Sequence, residues 1–145
     1  MNLDPEVHAK HVTHLDEKYK MIQRDEVRYE TYLTDDAEIV IAAYGITSRI
    51  CKSVVNKLRS EGSRIGLFRP ITLWPFPSEQ ISRAAERFPV FLTVEMSAGQ
   101  MVEDVQLAVA GKAPVLLYGR PGGGIPTVDE ILEKIRQLTI HSGQR

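Results

Sequence analysis

The run Glu38-Ile39-Val40-Ile41-Ala42-Ala43-Tyr44, closed by Gly45, decides the fold. A short, near-continuous apolar run bounded by a turn residue is the mark of a strand buried on both faces, as strands of parallel sheets are. A helical stripe follows over about residues 48–60, formed by Ile50, Val54, Val55 and Leu58, with Gly62 standing where a left-handed stop belongs.

The same unit recurs outward from this point. Ile65-Gly66-Leu67-Phe68 reads as a second strand, and Ser78 as the N-cap of a helix that reaches about Arg87 and ends before Pro89. Val90 to Glu95 is a third strand, and Met101, Val102, Val105, Ala108 and Val109 define a helix stopped by Gly111. After a fourth strand, Val115 to Tyr118, the loop Gly119-Arg120-Pro121-Gly122-Gly123-Gly124-Ile125-Pro126 leads to a last helix. That helix opens with a capping box, Thr127 and Glu130, and turns Val128, Ile131, Leu132, Ile135 and Leu138 inward. Apolar strands alternating with amphipathic helices predict an α/β fold with a mostly parallel sheet of about four to five strands, helices on both faces.

Residues 1–36 differ in kind, with no glycine, one proline at position 5 and a dense mixture of charges. Val12, Leu15, Tyr19, Ile22, Tyr29 and Leu33 recur at alternating spacings of three and four, interrupted only at Glu26, and so predict one long helix with an apolar seam. The expected organisation is a helical arm or linker over 1–36 and an α/β domain over 37–145. A lone helix cannot bury its own seam, so the arm docks on the domain or on another subunit.

The chain of 145 residues carries a net charge of -1 with its signs interspersed, which argues against the clustered basic face of a nucleic-acid binder. Cys51 is the single cysteine, too few for a disulfide, a cysteine zinc site or an iron-sulfur cluster. Met1 to Pro5 lacks the basic and apolar regions of a leader, and no apolar run approaches the ~18 residues that span a bilayer. The expectation is a cytoplasmic, soluble protein without membrane partners.

In open parallel sheets ligands gather at the carboxyl ends of the strands. Those ends carry Gly45 to Ser48, Arg69 to Pro77, Glu95 to Gln100 and Gly119 to Pro126. The glycine-rich loop and Arg120 could present a phosphate cradle, but the loop lacks a P-loop ending, and its plainer reading is a turn needing positive φ. Gly45 with Thr47 or Ser48 reads more simply as a turn and helix N-cap. Glu95 is either a general acid or base, for which no partner is visible, or a structural carboxylate that caps a neighbouring helix or pairs with Arg69. His8, His11 and His14 share one helical face without a zinc signature, and no Gly-x-Ser-x-Gly elbow accompanies His141, which falls in an expected tail. Trp74 and Phe76, stiffened by Pro70, Pro75 and Pro77, read as interface anchors or as intradomain core.

Several segments together resemble one family: Ala43-Tyr44-Gly45, Leu58-Arg59-Ser60-Glu61-Gly62, Gly66-Leu67-Phe68-Arg69-Pro70-Ile71-Thr72-Leu73-Trp74-Pro75-Phe76-Pro77, Val94-Glu95-Met96-Ser97-Ala98-Gly99-Gln100-Met101 and Tyr118-Gly119-Arg120-Pro121-Gly122-Gly123. The family is the C-terminal domain of the alpha-type subunit of 2-oxoacid:ferredoxin oxidoreductases, the 2-oxoglutarate and 2-oxoisovalerate types in particular. Ser97 departs from the family pattern, which usually has Asn there. The resemblance implies a transketolase C-terminal-like three-layer sandwich, in an enzyme that converts a 2-oxoacid, coenzyme A and oxidised ferredoxin to acyl-CoA, CO2 and reduced ferredoxin. It implies thiamine diphosphate, Mg2+, coenzyme A and a 4Fe-4S cluster for the complete complex, and none of their motifs in this chain. It also implies that this chain is a piece of a longer subunit, non-catalytic alone. Its partners would be the other domains, the beta-type thiamine-binding subunit and, for the whole enzyme, ferredoxin, in an oligomer. On this reading Trp74, Phe76, Leu15, Tyr19 and Ile22 form the interface. The alternative is a coenzyme A or phosphate module at the strand ends, carried by Arg69, Gly99, Gln100 and Arg120.

Overall fold

The computed structural model describes residues 4–142. Helix α1 spans Pro5–Asp25, and strand β1, Tyr29–Tyr32, follows it. Then come β2 (Ile39–Ala43), α2 (Gly45–Ser60), β3 (Ile65–Pro70), α3 (Ser78–Ala84), β4 (Val90–Glu95), α4 (Met101–Val109), β5 (Val115–Gly119) and α5 (Val128–Ser142). The five strands form one sheet in the order β1-β3-β2-β4-β5, parallel throughout except for β1, which runs antiparallel to β3.

The sheet is central because its strands are apolar on both faces. Ile41, Ala43, Leu67, Leu92 and Val94 meet Val54, Val55 and Leu58 of α2 and Ile131, Leu132 and Ile135 of α5 on one side. Val40, Ala42, Phe68 and Phe91 meet Ile81 of α3 and Met101, Val105 and Val109 of α4 on the other. Phe68 and Phe91 are almost fully buried, and each such side chain contributes roughly 1.5–3 kcal/mol by leaving water. The result is the expected α/β three-layer sandwich.

The expected long arm is corrected: α1 stops at Asp25, and Tyr29 and Leu33 do not continue its seam. Tyr29-Glu30-Thr31-Tyr32 fits a helical spacing and a strand alternation equally well, so the pattern was ambiguous. Pairing with β3 resolved it, with Tyr29 opposite Pro70 and Tyr32 opposite Leu67, and with the Tyr29 ring stacked on Phe68 at 5.2 Å. Leu33 then turns the chain with φ +51°, outside any right-handed helix.

Smaller differences have local causes. Ser78 is the first residue of α3 rather than its cap, since Pro77 holds the cap position, and α3 ends at Ala84, short of Arg87. α2 begins at Gly45, so Thr47 and Ser48 lie inside it and donate their hydroxyls back to the carbonyls of Tyr44 (2.5 Å) and Gly45 (2.7 Å) instead of capping. His141 belongs to the backbone of α5 rather than to a tail. Gly62 stops α2 as expected, with φ +87° and its N-H bonded to Arg59 O while Ser63 N-H reaches Leu58 O.

Candidate functional site

The direction in which successive strands are added reverses between β2 and β4, and in such sheets this is where a ligand crevice opens. The loop after β4 fills it from within. Glu95, at the end of β4, is completely buried and accepts hydrogen bonds from the backbone N-H groups of Gln100 (3.0 Å), Met101 (3.0 Å) and Val102 (3.1 Å). The Ser97 hydroxyl donates a fourth, at 2.6 Å. Burial alone would raise the Glu95 pKa, but these four donors outweigh it and hold the carboxyl below its ordinary range. Glu95 therefore caps α4, one of the structural roles expected of it, and does not pair with Arg69. The carboxylate occupies the position at the start of α4 where an external anion would bind, so Gly99 and Gln100 have no free helix-terminal N-H groups to offer.

Arg120, after β5, is likewise engaged within the domain. It pairs with Glu130, which also accepts from the Thr127 N-H (2.7 Å) and hydroxyl (2.9 Å), so the expected capping box exists and Arg120 is tied to it. Gly124 leaves room for this, because a Cβ there would lie 2.6 Å from Arg120 Nε. Arg69 pairs with Glu30 on β1 at 3.0 Å. β3 and β5 are separated by β2 and β4, about 14 Å at the usual strand spacing. The structure thus keeps Gly99 and Gln100 beside β5 but leaves Arg69 apart from Arg120.

The expected interface residues divide. Trp74 is 56% exposed and its ring meets Tyr19 of α1 edge-on at 5.7 Å. The two border a groove of about 650 Å³ with Asp16, Lys20 and Gln23. Leu15 and Ile22 are half-buried, while α1 has no fully buried residue. Phe76 points the other way and packs on the core beside α3 and α4. Cys51 is buried, and desolvation pushes its thiol up to about 12, so it is no nucleophile. The three arm histidines are exposed, and among the described residues no group of three or more His, Cys, Asp or Glu is disposed to hold a metal.

Sequence reasoning missed a second concavity, between α2 and β1. It is lined by Glu30, Thr31, Tyr32, Ser48, Arg49, Lys52, Leu67 and Arg69. Reading 29–33 as helix hid it, since the wall exists only once β1 pairs with the sheet.

The five-stranded sheet with one antiparallel edge and helices on both faces makes this domain an α/β three-layer sandwich with transketolase-like structural neighbours. The fold is similar to 2-oxoglutarate:ferredoxin oxidoreductase from Magnetococcus marinus, at TM-score 0.74 and 16% identity over 94% of this chain and 24% of that one. It is also similar to a split-gene transketolase, at TM-score 0.63 and 17% identity over 76% and 40%. In sequence the chain is 50% identical to the ketoisovalerate oxidoreductase subunit VorB of Methanothermobacter marburgensis, over 86% of this chain and 35% of the relative. The 2-oxoglutarate synthase subunit KorA of the same organism is 42% identical over 91% and 35%. The chain spans about a third of the length of these curated relatives. Residues 37–131 match the family described as pyruvate:ferredoxin oxidoreductase core domain II, and the chain belongs to that family.

Proposed function

We propose that this chain acts as the C-terminal, assembly-bearing domain of the alpha-type subunit of a 2-oxoacid:ferredoxin oxidoreductase, whose substrate is a branched-chain 2-oxoacid or 2-oxoglutarate. The observation that carries it is how the polar groups at the strand ends are used. Glu95, Arg69 and Arg120 are each engaged inside the domain, by the start of α4, by Glu30 and by Glu130 respectively. Of the large apolar side chains near that end, Trp74, Ile71 and Leu73 of the 71–74 turn are exposed. Such a surface suits packing against other domains and the beta-type subunit. By the family resemblance, thiamine diphosphate, Mg2+, coenzyme A and the 4Fe-4S cluster belong to the complete complex, and this reading assigns none of them to this chain. No helix among the described residues is long and apolar enough to cross a membrane.

The test is reduction of a viologen dye dependent on a 2-oxoacid and coenzyme A. The isolated chain gives none, and the assembled complex containing it turns over. Turnover by the isolated chain would overturn the non-catalytic reading.

A further inference from the structure

The groove between α2 and β1 shares no lining residue with the groove beside Trp74. Its volume is about 360 Å³, within the range of small-ligand sites. Three of its lining residues are cationic, Arg49, Lys52 and Arg69, against one carboxylate, Glu30, which is already bonded to Arg69 Nη1. The Arg49 side chain forms no hydrogen bond or ion pair among the described residues, whereas the side chains of the other described arginines each bond a carboxylate or a carbonyl. Lys52 has no carboxylate either; its ammonium sits 4.4 Å over the Tyr32 ring. Arg69 Nε is buried with no hydrogen-bond partner, a donor that ordinarily finds one. The first turn of α2, next to the groove, carries no acidic side chain.

We infer that this groove binds a small molecule carrying a phosphate monoester. After Glu30 is counted, two positive charges remain, which match a group of about −1.5 to −2 at neutral pH. Arg49 supplies forked N-H donors and Lys52 a point charge, the usual complement to phosphate oxygens, while Arg69, held by Glu30, adds positive charge beside them.

The experiment is a titration of the isotope-labelled chain with inorganic phosphate at low salt, followed by amide chemical shifts. Saturable shifts should centre on residues 30–32 and 48–52 and weaken as pH falls below neutral, as the phosphate dianion takes up a proton. The double variant Arg49→Gln, Lys52→Gln, with an unchanged melting temperature, should bind at least about tenfold more weakly. No saturable shift by about 10 mM phosphate overturns the inference. So do shifts centred elsewhere, undiminished binding by the folded variant, or tighter binding of a short poly-glutamate peptide, which would make the groove a docking site for acidic protein.

Discussion

Glu95 shows how one side chain can look catalytic in sequence and be structural in the fold. An acid at a strand end beside small residues matches either role; what decides is the direction of the three N-H groups that α4 turns toward it. Glu95→Gln keeps the shape but loses the charge and one acceptor, leaving a donor against N-H groups, and is expected to cost about 1–3 kcal/mol. The folded pKa lies below the unfolded one, so this contribution is fully present above the ordinary carboxylate range, about pH 4.3. It is lost as pH falls through the depressed folded value. Melting curves of wild type and variant should therefore differ most at neutral pH and converge in acid; a gap independent of pH would refute the capping charge.

At the scale of elements, β1 and α1 behave oppositely. The turn after β1 is clamped to the sheet: a Cβ on Gly66 would lie 2.7 Å from Leu33 O and 2.9 Å from Thr34 Cα, both backbone atoms. Arg59 adds donors to Leu33 O (2.6 Å), Ile65 O (2.7 Å) and Asp36 (2.9 Å). Gly66→Ala should force that turn outward and destabilise by about 1–3 kcal/mol in urea unfolding. α1 buries nothing fully and meets Trp74 through Tyr19. Deleting residues 1–25 should thus change stability by no more than about 1.5 kcal/mol while removing helical circular dichroism. A loss of cooperative unfolding on deletion would mean that the arm is part of the core.

At the scale of the whole molecule, α1 (Val7, Val12, Tyr19, Met21) and the neighbouring 71–74 turn (Ile71, Leu73, Trp74) both carry exposed apolar side chains. In the complete subunit Trp74→Ala is expected to leave the melting temperature of this domain within a few degrees and to weaken assembly with the beta-type subunit by about tenfold or more. Gel filtration of the reconstituted complex measures this, and unchanged assembly would remove Trp74 from the interface.

The amino-acid sequence alone determined the alternation of apolar strands and striped helices, the stop at Gly62 and the capping box of Thr127 and Glu130, because each is encoded within a few residues of itself. The family was legible in the Thr72 to Pro77 and Glu95 to Gln100 segments for the same reason: they are contiguous. Only the tertiary structure decided that Tyr29 to Tyr32 is an edge strand, that Phe76 turns inward while Trp74 does not, and that Glu95 faces α4 rather than Arg69. It alone gathers Arg49, Lys52 and Arg69 around one groove. Those outcomes depend on partners far apart in the chain, and local periodicity carries no information about which distant strand or helix end a side chain will meet.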